Sequence, residues 1–258
     1  MRTIDLNADL GEGYGIWRAG DDRALLDVVT SASVACGGHA GDPETMFETL
    51  CLARDRRVVV GAHPGFADRE GFGRRVIPCT TAEIERLVAA QTGALMAVAT
   101  LAGTRVGYVK PHGALGNLAA ERSDVARAVA RAVTAVSADL AILAMAGTAL
   151  DSAARAATGG GRVFREIFAD RAYLPSGHLV PRTHPEAMIT DAERAGDRLV
   201  GFLATGAMPT LGGPPIRLDA DSICVHGDTP GAVAMAQRLR ARLSAEGVRL
   251  GPFLEPRS

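Results

Sequence analysis

Lys110 is the single lysine of a 258-residue chain whose Lys and Arg together number 28. Where the protein needs an ordinary surface cation it uses arginine. A retained lysine therefore points to a compact ammonium with three donors and a pKa that can shift. It stands in the run Tyr108-Val109-Lys110-Pro111-His112-Gly113-Ala114-Leu115, whose Pro-His-Gly core reads as a turn at a strand end. Four of the six histidines fall in similar glycine-flanked motifs: Cys36-Gly37-Gly38-His39, Gly61-Ala62-His63-Pro64-Gly65, Pro111-His112-Gly113 and His226-Gly227-Asp228. Glycine beside a reactive side chain lets the backbone approach a ligand closely.

Three chemistries could use such residues. Histidines and aspartates converging from several strands could bind a divalent metal and activate water. Lys110, His112 and arginines could hold a phosphorylated intermediate while a carboxylate such as Asp9 or Glu12 acts as base. A nucleophilic route needs a thiol beside a histidine, for which Cys36 and Cys224 are the weak candidates. No G-x-x-x-x-G-K-[ST] loop is present, so a nucleotide would bind without one.

The elements that position these residues follow from periodicity. Short apolar runs at 4–9, 33–37, 58–63, 106–111, 140–144, 163–170 and 222–226 read as strands. Helix-like stretches at 21–29, 43–54, 81–101, 119–136, 148–157, 185–203 and 230–243 alternate with them. Seven β–α alternations without a low-complexity linker predict an α/β protein, a single (β/α) barrel domain over residues 1–258. A closed barrel is favoured over an open sheet because polar motifs follow most strands rather than one switch point. Residues two apart on a strand share a face. Asp5, Asn7 and Asp9 thus point together, as do Tyr108, Lys110 and His112, then Glu166, Phe168 and Asp170, then Cys224, His226 and Asp228. Barrel interiors are normally aliphatic, so these charges must be paired, hydrated or ligand-bound. The irregular stretch 171–184 is long enough to serve as a lid.

Composition narrows the partners. A net charge of −1 leaves no basic excess for nucleic acid. No run approaches the roughly 20 apolar residues of a membrane span, and acidic residues interrupt the N-terminus too early for a signal peptide. Cysteines 36, 51, 79 and 224 show no close pairing. A cytoplasmic location is expected.

Several motifs occur together in a fixed order: Leu6-Asn7-Ala8-Asp9-Leu10-Gly11-Glu12-Gly13, Cys36-Gly37-Gly38-His39-Ala40-Gly41-Asp42-Pro43, Gly61-Ala62-His63-Pro64-Gly65-Phe66, Gly71-Phe72-Gly73-Arg74-Arg75, Lys110-Pro111-His112-Gly113-Ala114-Leu115, Phe168-Ala169-Asp170-Arg171-Ala172-Tyr173 and His226-Gly227-Asp228-Thr229-Pro230. Over nearly the whole chain they resemble the LamB/YcsF family. The resemblance implies an irregular (β/α) barrel of the glycoside hydrolase/deacetylase type. It implies ATP-driven opening of the lactam ring of 5-oxo-L-proline to glutamate, ADP and phosphate. ATP, with Mg2+, is the implied co-substrate, a further bound divalent metal is left open, and subunits B and C of a 5-oxoprolinase are the implied partners. Asp9, Glu12, Lys110, His112 and Asp170 would carry catalysis. Asp9 or Glu12 would act as base toward water, and Lys110 and His112 would neutralise the activated group. Asn7, His39, Asp42, His63, Arg74, Glu166, Arg171, Arg182, His226 and Asp228 would bind substrate, with Arg171 and Arg182 clamping its carboxylate. The alternatives are a metal-dependent deacetylase or amidohydrolase acting alone, and a non-catalytic lactam-binding subunit. Departures from the family pattern stand at Gly38, Tyr108, Gly116 and Glu186. Loss of aromatics at 38 and 116 predicts a larger pocket, and Tyr108 replaces a histidine that could ligate or donate.

Overall fold

The computed structural model describes residues 3–227 and 231–255. Along the chain run β1 (Thr3–Leu10), α1 (Asp22–Leu26), β2 (Ser31–Ala35), α2 (Pro43–Asp55), β3 (Val59–His63), α3 (Thr81–Ala102), β4 (Val106–Val109), α4 (Gly113–Glu121) and α5 (Ser123–Val136). There follow β5 (Ala141–Met145), α6 (Ala149–Thr158), β6 (Val163–Phe168), α7 (Ala192–Thr205), β7 (Ala207–Thr210), β8 (Gly213–Arg217), β9 (Ser222–Val225), α8 (Ala232–Ala245) and β10 (Arg249–Leu250). Seven parallel strands, β1-β2-β3-β4-β5-β6-β9, close into a barrel because β1 pairs with β9 as well as β2. The first two residues of β1 pair with β10, and the next four with β9, so one edge serves both.

Alternation along each strand separates two environments. Ile4, Leu6, Ala8 and Leu10 of β1 are fully buried in the apolar layer beneath the helices. Such a leucine contributes about 1.5–3 kcal/mol by leaving water. Asp5, Asn7 and Asp9 point into the barrel instead. The base of the barrel is filled by Val59, Tyr108, Ala141 and Leu143, with Phe164 and Phe253 against them. Tyr108 is completely buried, and its ring occupies the space of a Cβ at position 61, which would lie 2.2 Å from the ring. Gly61 is therefore the residue that lets β3 pass the tyrosine, and the β3–β4 register shifts there.

Helix starts follow local chemistry. Asp42 caps α2 by accepting from the amides of Glu44 and Thr45, and Thr80 with Glu83 forms a capping box on α3. Four expectations need correction. The helix expected over 119–136 is two helices, α4 and α5, broken at the extended Arg122, and α4 starts directly after His112. The helix expected from 185 begins at Ala192, and the preceding residues form irregular turns, of which 178–183 reach the barrel mouth. The segment 211–215, whose Leu-Gly-Gly-Pro-Pro sequence alone suggests a turn, belongs to an antiparallel hairpin of β7 and β8, whose turn is Leu211-Gly212. Finally, α3 is long and apolar enough to cross a membrane by length and composition. It packs instead on α2, α5 and the barrel through Ile84, Val88, Leu95 and Ala99.

Candidate active site

The C-terminal ends of the strands open into a cavity of about 410 Å³, within the usual range for small-molecule sites of about 300–1,000 Å³. Ten of the expected residues line it. Asp9, Glu12, His63, Lys110, His112 and Glu166 form its floor, and His226, Arg74, Arg171 and Arg182 its sides. His178 through Thr183 roof it, as expected of the long loop.

Lys110 is the hub of the floor. Its Nζ lies 2.8 Å from Asp9 Oδ1, 3.1 Å from Glu166 Oε2, 3.1 Å from Asn7 Oδ1 and 3.1 Å from Cys224 Sγ. Three N–H bonds thus face four acceptors, and none is left over for a ligand. Burial alone would lower the lysine's pKa, but the neighbouring carboxylates, Asp9 foremost and then Glu166, outweigh it and raise it well above the ordinary value. The residue is a fixed cation. The three donors expected to neutralise a substrate group instead neutralise the protein's own carboxylates.

The two carboxylates diverge. Burial opposes ionisation of Asp9, yet His63 and Lys110 outweigh it and hold the carboxyl well below the usual range. Burial raises Glu166, only partly offset by Lys110. Two neighbouring carboxyls pushed apart in this way are suited to opposite proton-transfer roles.

A second pair stands across the cavity. His226 Nδ1 lies 2.8 Å from Asp170 Oδ2, and its ring stacks on Phe168 at 5.5 Å. Burial works against the Asp170 anion, but His226 outweighs it and keeps the carboxyl low. An ionised carboxylate can only accept, so Nδ1 carries the proton and Nε2 is left for the cavity. Asp170 itself does not line the cavity. It orients the histidine.

Glu12, His39, His63 and His112 form the third group, with one ligating atom from each lying within 4.8 Å of all the others. The rings of His39 and His112 stack at 3.5 Å, and Phe72 meets both edge-on. Burial, then the neighbouring imidazoles, holds His39 and His112 well below the ordinary histidine value. The 71–74 loop closes over them. Gly73 has φ +63, and a Cβ there would stand 2.6 Å from His39 Cβ and 2.8 Å from His112 Cδ2, so only glycine fits. Asp68 pins the loop by accepting from Gly71 N and Arg75 Nε.

The mouth is held from behind. Arg171 is buried and donates through Nη2 to Val180 O at 2.7 Å; burial, then Arg182, pulls its pKa down to about 10. Arg198, on α7, donates to the carbonyls of Arg171, Phe168 and Ala169. Leu211 in the hairpin turn donates to Tyr173 O.

Several expected residues lie elsewhere. Asp42 is a helix cap whose second oxygen accepts from Gly15 N, and it does not reach the cavity. Asn7 lies under Lys110 and bonds Ser222 Oγ, so it supports the floor. His39 sits behind Glu12 rather than on the cavity wall. Asp228 falls outside the described residues. Tyr108 hydrogen-bonds Ser33 at the barrel base and is neither ligand nor acid. Position 38 does not enlarge the pocket: a Cβ on Gly38 would meet Gln91 and Gly65 O at 2.5–2.6 Å, and Gln91 fills that space by clamping Gly65 through both its amide atoms. Gly116 does line the cavity, and Glu186 is exposed away from it. The thiol candidates are set aside. Burial pushes Cys36 up to about 12 and Cys224 well above its ordinary value, so both stay protonated. Cavity residues that sequence reasoning missed include His178, Thr148 and Met145. They come from loops and from a strand end without a polar motif, so no spacing signal pointed to them.

A parallel (β/α) barrel with an ionisable cluster at the C-terminal mouth of its strands is the class that fold and site define. The chain belongs to the LamB/YcsF family, which it matches over residues 4–258. It is 52% identical over 253 residues to the A subunit of 5-oxoprolinase from Azorhizobium caulinodans, covering 98% of this chain and 99% of that one. It is 51% identical to the corresponding 5-oxoprolinase chain of Gluconobacter oxydans, covering 96% of each. The crystal structure of a lactam utilization protein from Thermus thermophilus superposes with a TM-score of 0.90 at 41% identity, covering 97% of this chain and 99% of that one.

Proposed function

We propose that this chain is the A subunit of a 5-oxoprolinase, opening the lactam of 5-oxo-L-proline to glutamate with hydrolysis of ATP. The observation that carries the reading is the cavity floor, where Lys110 spans an Asp9 carboxyl held low and a Glu166 carboxyl raised by burial beneath a space suited to a small ring. Arg171 and Arg182 on the cavity wall supply the positive charge that a substrate carboxylate needs. A lactam carbonyl is a poor electrophile, and ATP remedies this by phosphorylating the carbonyl oxygen. Asp9 then takes a proton from water as its oxygen bonds the ring carbon. His226, oriented by Asp170, takes a proton at Nε2 and gives it to the departing ring nitrogen. The ring C–N bond breaks to leave a γ-glutamyl phosphate, and a second water hydrolyses that acyl phosphate to glutamate and inorganic phosphate. Lys110 acts as a positioning residue, holding Asp9 ionised and in place.

In this reading ATP arrives as its magnesium complex, subunits B and C complete the enzyme, and one barrel domain spans 1–258. A cytoplasmic location agrees with four free cysteines. A deacetylase acting alone and a non-catalytic lactam-binding subunit have less support, since relatives near 50% identity carry the 5-oxoprolinase name. The test is glutamate release from 5-oxoproline, with and without ATP, by this chain alone and with candidate B and C subunits. Turnover that needs both ATP and the partners is expected. ATP-independent release by the chain alone would overturn the reading.

A further inference from the structure

We propose that Glu12, His39, His63 and His112 form a binding site for a single divalent transition metal, with Zn2+ the best-suited ion. The backbone dictates where the imidazole protons sit. His63 Nδ1 lies 2.7 Å from Lys110 O, and His112 Nε2 lies 2.8 Å from Phe72 O. A carbonyl only accepts, so each of these nitrogens carries its ring's proton. In neutral rings the other nitrogens, His63 Nε2 and His112 Nδ1, hold lone pairs. Those two atoms face each other at 3.0 Å. Acceptors surround them: Glu12 Oε1 is 3.5 Å from His112 Nδ1, and Asp9 Oδ2 is 3.4 Å from His63 Nε2.

Converging lone pairs in a buried pocket repel unless something positive lies between them. His39 adds a third imidazole, with Nε2 3.2 Å from Glu12 Oε1. It is 1% exposed, and its Nδ1 has no hydrogen-bond partner among the described residues.

The spacing fits a metal. Bonds of about 2.0–2.2 Å at tetrahedral angles set neighbouring ligand atoms about 3.3–3.6 Å apart. Three of the six separations, 3.0, 3.2 and 3.5 Å, lie close to those edges, all four ligand atoms lie within 4.8 Å, and His39 has to turn out of its parallel stack on His112 to direct its lone pair at the same ion. Two of the three histidines anchor their far nitrogen on a backbone carbonyl, the outer-shell arrangement that fixes tautomer and ring orientation at metal sites. Three imidazoles and one carboxylate favour a borderline ion such as zinc over the oxygen-seeking Mg2+ or Ca2+. Glu12, His63 and His112 also line the cavity, so an ion held by them would border bound substrate.

The competing occupant is a single proton shared between His63 and His112. The full-length chain, stripped with a chelator and dialysed, separates the two when titrated calorimetrically with Zn2+ and spectroscopically with Co2+. The expected result is one equivalent per chain, with the strong visible absorption of four-coordinate Co2+. His63→Gln and His112→Gln should each weaken binding by at least about tenfold. Glu12→Gln, a milder change, should weaken it while far-ultraviolet dichroism stays native. His184→Gln, in the exposed loop, should leave it unchanged. Absence of stoichiometric uptake by the wild-type chain, or uptake undiminished in the folded His63 and His112 variants, would overturn the proposal in favour of the proton. Binding is read without lactam, ATP or partners, so this result and the glutamate-release result can each fail alone.

Discussion

Replacing Lys110 with methionine tests whether the lysine's task is to hold two carboxylates rather than to serve as a surface cation or a base. Methionine keeps the length and loses the charge. Asp9 Oδ1 and Glu166 Oε2, which stood 2.8 and 3.1 Å from Nζ, are then left buried without their cation. At an effective dielectric constant near 20 each contact carries about 5–6 kcal/mol of Coulomb energy. That exceeds what protonating a carboxyl costs, so the folded variant should take up a proton. An unfolded glutamate has a pKa of about 4.3. Holding it neutral in the fold therefore costs about 3.7 kcal/mol at pH 7 and about 1 kcal/mol at pH 5. The sign follows from a raised folded pKa, whose stability contribution is present at low pH and lost as pH rises. Urea unfolding of Lys110→Met and wild type at both pH values measures the difference. A destabilisation of about 4 kcal/mol at pH 7 that shrinks to about 1 at pH 5 is expected. Equal losses at the two pH values, or a loss below about 1 kcal/mol at pH 7, would refute the reasoning.

Two further outcomes are expected. Asp170→Asn should leave the fold intact but remove the anion that fixes the His226 tautomer, lowering kcat by roughly 10²-fold with little change in KM in steady-state glutamate release; an unchanged kcat would remove His226 from the proton pathway. Asp5, fully buried at the barrel base and held by Ser222, Ser31 and Thr30, has its pKa raised by burial from 3.8 to about 6. Its ionisation on going from pH 5 to pH 7 should therefore cost about 1 kcal/mol of stability. Asp5→Asn should lack that component, and urea unfolding curves with the same pH slope as wild type would contradict it.

Much of the molecule was legible along the chain because strand alternation and helical period are local. The two-residue repeat in Asp5, Asn7 and Asp9 is enough to place their side chains inside the barrel. The run Lys110-Pro111-His112-Gly113 marked a strand end because proline and glycine cannot continue the ladder. What local pattern does not encode is which groups meet across the barrel. Asn7, Glu166 and Cys224 lie on three different strands and Lys110 just past the end of a fourth, and only closure of the sheet gives Lys110 more acceptors than it has protons. The same closure turned Tyr108 into filling at the barrel base, where Gly61 makes room for its ring. Asp42 entered the expected site only through the family resemblance of the run Cys36 to Pro43, and the folded chain uses it to cap α2. The order of residues along the chain thus dictates the barrel, its polar end and the side-chain types gathered there. Packing across the closed sheet assigns Lys110 to Asp9 and Glu166, makes Asp170 work through His226, and brings three imidazoles together on Glu12, because lone pairs and charges acquire meaning only at contact distance.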